Sequence, residues 1–158
     1  MGFQIAQDAT IDSPRERVWA YLADFARHTE WSEPKHQLRI QPPNEVRAGA
    51  TFSSIGKDMG RDSKNSVTIT EVIPGERIVY VASQDDGTVW RNAIELADAG
   101  QGTRVTKREA LVSARFPMNV LTAILLPLFR REAARMHAAD LSRIKARLEQ
   151  GVAPVVPS

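Results

Sequence analysis

The sequence predicts an α+β fold in which an antiparallel sheet is followed by one long C-terminal helix. Three observations predict it. Alternating apolar and polar residues, separated by turn dipeptides, fill the chain from about residue 35 to residue 113. Residues 13–31 have the apolar spacing of two short helices, and residues 117–149 have that of a long one. Because strands joined by short turns are antiparallel, the strands should form one meandering sheet.

The N-terminal elements follow from local signals. Residues 3–11 alternate apolar and polar positions, which predicts the first strand. Ser13 is expected to cap the first helix, with Pro14 in its first turn and Glu16 completing a capping box. A second, shorter helical segment is expected over residues 24–31. Two short helices therefore separate the first strand from the rest of the sheet.

Turn chemistry divides the middle of the chain into six further strands, which makes seven in all. Pro74-Gly75 suits a type II turn, and Asp86-Gly87 suits a type I′ hairpin. Residues 98–102 predict another reversal, because they contain two glycines and an aspartate. Residues 56–62 are polar and predict a long hairpin loop.

The last helix is predicted to run from Pro117 to about Glu149, with a kink at Pro127. Its first half, Val120 to Phe129, is apolar around the whole helix, whereas one face is enough to cover a sheet. The surplus face can be covered by the same chain, a second protomer or a lipid surface. A homodimer through Val120–Phe129 is the expected solution. Residues 1–150 are interpreted as a single domain and residues 151–158 as a tail.

Composition excludes several classes of function. The chain has 158 residues and a net charge of +2, from 21 basic against 19 acidic residues, so no nucleic-acid partner is expected. It has no cysteine, and its three histidines lack the spacing of a metal site, so neither a metal nor a cofactor is expected. The N-terminus lacks the pattern of a secretion signal, which favours a cytoplasmic location. The longest apolar run is too short for stable membrane insertion.

Several motifs together resemble a known family. They are Ile11-Asp12-Ser13-Pro14-Arg15-Glu16-Arg17-Val18-Trp19, Glu71-Val72-Ile73-Pro74-Gly75-Glu76-Arg77-Ile78, the run from Trp90 to Leu96, Gly102-Thr103-Arg104-Val105-Thr106 and Leu141-Ser142-Arg143-Ile144-Lys145. Their order resembles the START-like (SRPBCC) superfamily, and its polyketide cyclase/dehydrase-like branch in particular. The resemblance implies a helix-grip fold, in which a seven-stranded curved sheet wraps around the C-terminal helix. That superfamily shares no catalytic signature, so the catalytic residues are unknown.

The resemblance implies a cavity between the concave face of the sheet and the C-terminal helix, which is a typical site for an apolar ligand. In the strand from Val89 to Leu96, Trp90 and Asn92 share the more apolar face and should point inward. Asn92 then needs a polar partner, which a neighbour, a water or a ligand could supply. The predicted ligand-binding residues are Trp31, Phe52, Ile69, Tyr80, Trp90, Asn92, Leu125 and Phe129.

Charged residues outside this set have simpler interpretations. Asp24 and His28 are one helical turn apart and are expected to form a surface salt bridge rather than a catalytic dyad. His137 lies on the apolar stripe of the last helix, so it is interpreted as a core or rim histidine. The basic cluster Arg130, Arg131 and Arg135 is expected to be solvated, and contact with an acidic lipid surface is the alternative.

Three functions remain open on this sequence. The favoured one is non-covalent binding of a small hydrophobic molecule, such as a lipid, isoprenoid or aromatic polyketide, for transport or sequestration. The second is a cyclase or dehydratase, which would need an inward acid or base among Asn92, Tyr80, Glu109 and Glu71. The third is a protein-interaction module that uses the apolar half of the last helix. The sequence does not decide between enzyme and binding protein.

Overall fold

The sheet determines the position of everything else in the molecule. The computed structural model describes residues 2–58 and 60–150. Across that part of the chain, seven antiparallel strands form a curved sheet in the order β1-β7-β6-β5-β4-β3-β2. The strands are β1 (Gln4–Ile11), β2 (Arg39–Gln41), β3 (Thr51–Asp58), β4 (Arg61–Ile73), β5 (Arg77–Gln84), β6 (Val89–Ala99) and β7 (Gly102–Ser113). The predicted α+β class and the antiparallel meander are confirmed.

Helices cover one face of this sheet. They are α1 (Arg15–Ala23), α2 (His28–Trp31), α3 (Met118–Ile124) and α4 (Leu126–Gln150), with 3₁₀ turns at Phe25–Arg27 and Pro34–His36. α4 has 25 residues and is therefore about 38 Å long. It packs mainly against β1. This arrangement is the helix-grip architecture. No helix in the described ranges is long and apolar enough to cross a membrane.

The main core lies where α1 and α4 meet the concave face of the sheet. Leu141 and Ile144 of α4 pack there against Ile94 and Val105, and all four side chains are almost completely buried. Ile94 lies on the inward face of β6, as the alternation predicted. A second core cluster forms around Phe25, Ile69 and Ile78, and a third around Phe3, Ile5 and Ala133. The second and third clusters flank the candidate site.

The start of α1 differs from the prediction. Pro14, in an extended conformation (φ −63°, ψ 148°), takes the N-cap position, and its carbonyl accepts the Val18 amide at 3.1 Å. The Ser13 side chain therefore does not cap the helix, and its Oγ is buried without a partner among the described residues. The Ser13 carbonyl instead accepts the Thr103 hydroxyl at 2.8 Å, which joins this turn to β7.

The predicted hairpin connections are confirmed only in part. At Pro74-Gly75 the Glu76 amide donates to the Ile73 carbonyl at 2.9 Å, and Gly75 has a φ of 76°, as a type II turn requires. At Asp86-Gly87 only the glycine has a positive φ (88°), so the prediction of a type I′ turn is wrong. The long loop predicted over residues 56–62 is also wrong, because β3 and β4 extend to Asp58 and Arg61.

The predicted single C-terminal helix is broken rather than kinked. α3 ends at Ile124, and the C-cap Leu125 leaves the helical region with a φ of −99° and a ψ of 15°. Pro127 lies in the first turn of α4, where its missing N–H costs no helical hydrogen bond. The proline therefore begins a new helix.

Candidate functional site

A pocket of about 280 Å³ opens on the concave face of the sheet. Six strands, β2 to β7, supply its floor, and α2 with the preceding 3₁₀ turn supplies one wall. The lining residues are Phe25, His28, Leu38, Ile40, Phe52, Ser54, Asn65, Val67, Tyr80, Ala82, Gln84, Trp90, Asn92 and Glu109. No residue of α4 is among them, although the sequence placed the cavity against that helix.

Aromatic side chains form one wall of this pocket. The ring of Phe25 lies 4.7 Å from that of Phe52 and 5.5 Å from that of Tyr80, the latter in an edge-on arrangement. His28 packs on the other side of Phe25, with ring centroids 4.4 Å apart. Trp90, at the opposite end, meets Phe3 edge-on at 5.5 Å. These contacts hold the aromatic wall rigid, because each ring is fixed by at least one other.

Three polar side chains cross the floor of the pocket side by side. Tyr80 pairs with Asn92 in the register of β5 and β6, and Asn92 pairs with Glu109 in that of β6 and β7. Paired residues project from the same face about 5 Å apart. We call Tyr80, Asn92 and Glu109 the polar row. Within residues 2–58 and 60–150, the Tyr80 hydroxyl and the Asn92 amide make no side-chain hydrogen bond, so both face the pocket unsatisfied.

The pKa of the Tyr80 hydroxyl is raised above its usual value. Burial is the main cause, because it disfavours the phenolate, and the negative charges of Glu109 and Asp140 add to it. The hydroxyl therefore stays protonated at neutral pH. It can donate a hydrogen bond to an oxygen or nitrogen of a bound molecule.

His137 connects the polar row to α4. Its Nε2 atom lies 3.2 Å from Oε2 of Glu109, and the ring is almost fully buried. Its Nδ1 atom has no hydrogen-bond partner among the described residues. The burial agrees with the interpretation of His137 as a core histidine. Glu71, by contrast, binds Arg77 on the other face of the sheet, at 2.8 Å to its Nε atom, and cannot reach the pocket.

A buried charge cluster surrounds Lys107, which lies two residues before Glu109 on the same face of β7. Lys107 donates to Oδ2 of Asp140 at 2.6 Å, and Arg143 donates to Oδ1 of the same carboxylate at 3.1 Å. The Lys107 ammonium also lies 4.7 Å from the centre of the Trp31 ring. A buried cation needs such partners to offset its desolvation. This cluster joins β7 to α4 and α2 behind the pocket.

The predicted salt bridge between Asp24 and His28 is absent from the structure. His28 is buried, and its Nε2 atom bonds the Leu22 carbonyl at 2.8 Å. Burial lowers the pKa of His28 to about 4; the positive charge of Lys107 acts in the same direction, and the bond to Leu22 opposes it. Asp24 instead accepts the Ala26 amide at 3.1 Å. His28 is thus a neutral wall of the pocket.

The structure gathers half of the predicted site residues around the pocket. Phe52, Tyr80, Trp90 and Asn92 line it. The other four do not. Ile69 packs in the core cluster of Phe25, and Trp31 lies under Lys107 in the main core rather than at a pocket mouth. Phe129 packs against the cluster of Phe3, and Leu125 occupies the break between α3 and α4. A ligand role for any of the eight stays a prediction.

The predicted ligand-binding set omits several lining and supporting residues that left a signal in the sequence. Leu22, Phe25, His28 and Trp31 recur every three residues, a spacing that indicates one buried stripe through two short helices. On β7, the two-residue period of Val105 and Leu111 places Lys107 and Glu109 on the inward face. Their partners His137 and Asp140 lie one turn apart on the buried face of α4.

A second depression, of about 340 Å³, lies on the convex face of the sheet. Charged side chains dominate it, including Asp8, Glu95, Arg104 and Arg108. Such a surface does not favour an apolar molecule. Among the described residues, no group of three or more possible metal-binding side chains is present. The concave pocket is therefore the candidate site.

The fold and the pocket together define a helix-grip domain of the START-like superfamily, as the sequence motifs indicated. The chain belongs to the AHSA1 family, described as Activator of Hsp90 ATPase homolog 1-like protein, whose model matches residues 12–121. Membership of this family implies a domain for a hydrophobic ligand. A search of curated proteins found no match.

Solved structures show the same fold at low sequence identity. Protein CV1439 from Chromobacterium violaceum is 19% identical, with a TM-score of 0.71 over 92% of this chain and 97% of that one. TTHA0849 from Thermus thermophilus is 15% identical, with a TM-score of 0.74 over 95% and 99%. DynU16, a protein in the dynemicin biosynthetic locus, is 15% identical, with a TM-score of 0.67 over 94% of this chain and 48% of its own. These similarities establish the fold alone.

Proposed function

We propose that this domain binds a small, largely apolar molecule that carries at least one hydrogen-bonding group. One observation supports the proposal above all. The polar row lies beside the aromatic and aliphatic side chains of the pocket, and the Tyr80 hydroxyl and Asn92 amide have no side-chain partner in the described part of the chain. Polar groups that line a pocket without a protein partner can bond a polar group of a ligand that enters it. The ligand's polar group therefore faces Tyr80 and Asn92.

The size of the pocket narrows the class of ligand. Its volume of about 280 Å³ is at the lower end of the range for small-molecule sites. A short isoprenoid or a fragment of an aromatic polyketide suits that volume better than a lipid with two acyl chains. Transport or sequestration needs only this binding.

Paired probes test the proposal. Naphthalene and 2-naphthol differ by one hydroxyl, so their affinities report on the polar row. The parent protein should bind both and prefer 2-naphthol by about two- to tenfold, which corresponds to one net hydrogen bond. Fluorescence titration measures both affinities. Native mass spectrometry of the purified protein should also show a co-purifying small molecule.

Two tyrosine substitutions provide the control. Tyr80→Phe should abolish or reduce the preference for 2-naphthol, whereas Tyr21→Phe should leave it unchanged. The Tyr21 hydroxyl bonds Glu30 outside the pocket, at 3.0 Å. Equal affinity of the parent for the two probes would contradict the role of the polar row. Failure to bind either probe would contradict the proposed function.

Acid–base catalysis in the same pocket is the second candidate, and one observation favours it. Glu109 lines the pocket and has His137 directly behind its carboxylate. Glu109 would take a proton from the carbon next to a ligand carbonyl, and the Tyr80 hydroxyl would bond the resulting enolate oxygen. Such a step begins a cyclisation or dehydration of a polyketide-like chain.

Deuterium exchange distinguishes catalysis from binding. The α-protons of 1-tetralone, a bicyclic ketone, should exchange with D2O faster in the presence of the parent protein. Glu109→Gln should slow that exchange by about a hundredfold or more. NMR measures the exchange rate. A parent that binds 1-tetralone without accelerating exchange would leave the domain as a binding protein.

A further inference from the structure

The most apolar exposed surface of the molecule lies on α3 and the residues next to it. Phe116 is 81% exposed, Ile124 is 70% exposed and Leu128 is 62% exposed. Val120 and Leu121 are also exposed. We call these five residues the helix patch. Val120, Leu121 and Ile124 share one face of α3, because Ile124 lies four residues from Val120 and three from Leu121, and residues at these spacings are neighbours on a helix.

The residues of the helix patch belong to none of the three core clusters of the described residues. The neighbouring Leu126 and Phe129 turn inward and pack on the cluster of Phe3, so the core is already covered there. Leu126 and Phe129 are thus partly buried. Large exposed apolar patches are uncommon on proteins that act as isolated monomers. Nothing within residues 2–58 and 60–150 covers the patch, which favours a partner outside this chain.

The charge around the helix patch indicates what that partner is. Residues 110–131 contain three arginines and no aspartate or glutamate. Arg115, Arg130 and Arg131 are all exposed. None of the three forms a salt bridge within residues 2–58 and 60–150. The patch is therefore apolar at its centre and cationic around it.

A second copy of this chain fits that charge pattern poorly. In a twofold dimer the same patch meets itself, so each cationic rim would face another cationic rim. An anionic bilayer surface complements both parts, because its headgroups attract arginine and its acyl boundary accepts apolar side chains. We propose that the helix patch docks this domain on the surface of an anionic lipid bilayer, without crossing it.

The docking surface is next to the pocket. Leu126 and Phe129 begin α4 beside the patch and pack in the same cluster as Trp90, which lines the pocket. This cluster therefore connects the start of α4 with a residue of the pocket wall. A ligand that partitions into bilayers would enter past Trp90, and this consequence rests on the proposed function. The docking on a bilayer does not depend on the proposed function.

Vesicle flotation tests the docking on the full chain without any pocket ligand. Vesicles of phosphatidylcholine alone should bind little protein, and vesicles with an equal amount of phosphatidylglycerol should bind it well. Added salt should weaken this binding. Ile124→Glu should reduce it by about tenfold or more, because a charge replaces the most exposed isoleucine of the patch. Arg130→Gln should reduce it by about fivefold, the loss expected for one cation near a charged surface.

Ile73→Glu is the matched control, since Ile73 is an exposed isoleucine at the turn between β4 and β5. It should bind anionic vesicles as the parent does. Circular dichroism should show that all three variants are folded. Equal binding of the parent to both vesicle types, or to neither, would overturn the proposal. A parent dimer that Ile124→Glu dissociates, without vesicle binding, would show that a second copy covers the patch and would also overturn it.

Discussion

At the scale of single residues, the inward face of β7 is the unusual feature of this protein. It carries Lys107 and Glu109 where a helix-grip core needs apolar side chains, and each has a partner on α4. Asp140 accepts from both Lys107 and Arg143, and Arg143 also lies 3.7 Å from Glu33, so each charge in the cluster has an opposite partner. Burial of these charged groups is tolerated because each lies within bonding distance of a partner. Removal of one partner should therefore lower the free energy of unfolding.

Lys107→Met tests this interpretation. The variant leaves the buried Asp140 carboxylate with Arg143 alone, so the free energy of unfolding should fall by about 3–5 kcal/mol. The double variant Lys107→Met/Asp140→Leu should recover part of that loss, because it removes both charges. Urea denaturation measures both. Strict additivity of Lys107→Met and Asp140→Leu would show that the two side chains do not interact.

His28 should make stability depend on pH. Its pKa is about 4 in the folded protein and about 6.5 in the unfolded chain. Between these values the unfolded chain binds more protons, so stability is complete above pH 6.5 and falls as the pH decreases. The expected loss between pH 7 and pH 5 is about 2 kcal/mol.

His28→Gln provides the comparison, since its amide can still donate to the Leu22 carbonyl. The variant should lose little stability between pH 7 and pH 5. Chemical denaturation at each pH measures the difference. A parent as stable at pH 5 as at pH 7 would show that His28 is accessible to protons in the folded state.

At the scale of elements, the sequence predicts what local rules determine and misses what tertiary contacts determine. The prediction at Pro74-Gly75 is correct because the turn depends on those two residues. The prediction at Pro127 is wrong because a proline can kink a helix or begin one, and only the packing of Leu126 and Phe129 selects the second outcome. The long loop expected over residues 56–62 fails for a similar reason, since pairing of β3 with β4 outweighs their polar composition.

The two C-terminal helices should respond differently to the same substitution. Ile144 of α4 is completely buried between sheet and helix, whereas Ile124 of α3 is exposed. Ile144→Ala should reduce the free energy of unfolding by about 2–5 kcal/mol, the usual cost of a cavity in a core. Ile124→Ala should change it by less than about 1 kcal/mol. Similar losses in both variants, measured by thermal or urea denaturation, would contradict the separate roles of α3 and α4.

At the scale of the whole molecule, the fold could be predicted and the pocket only in part. The family motifs and the alternation of β6 place Trp90 and Asn92 inward from the sequence alone. The third member of the polar row, Glu109, depends on the register between β6 and β7, which residue patterns do not specify. Trp31, one of the predicted ligand-binding residues, does not line the pocket, because its ring packs under Lys107 in a contact between elements far apart in the chain.

One pair of variants tests most directly whether the concave pocket is the binding site. Ala82 lines that pocket, and Ala97 lines the depression on the convex face, so Ala→Trp at each position fills one of the two. Titration with 2-naphthol should show one site in the parent and in Ala97→Trp. Ala82→Trp, confirmed as folded by circular dichroism, should bind at least about tenfold more weakly, because the indole occupies the ligand's volume. Unchanged affinity in a folded Ala82→Trp would place the ligand elsewhere and show that the concave pocket is not the binding site.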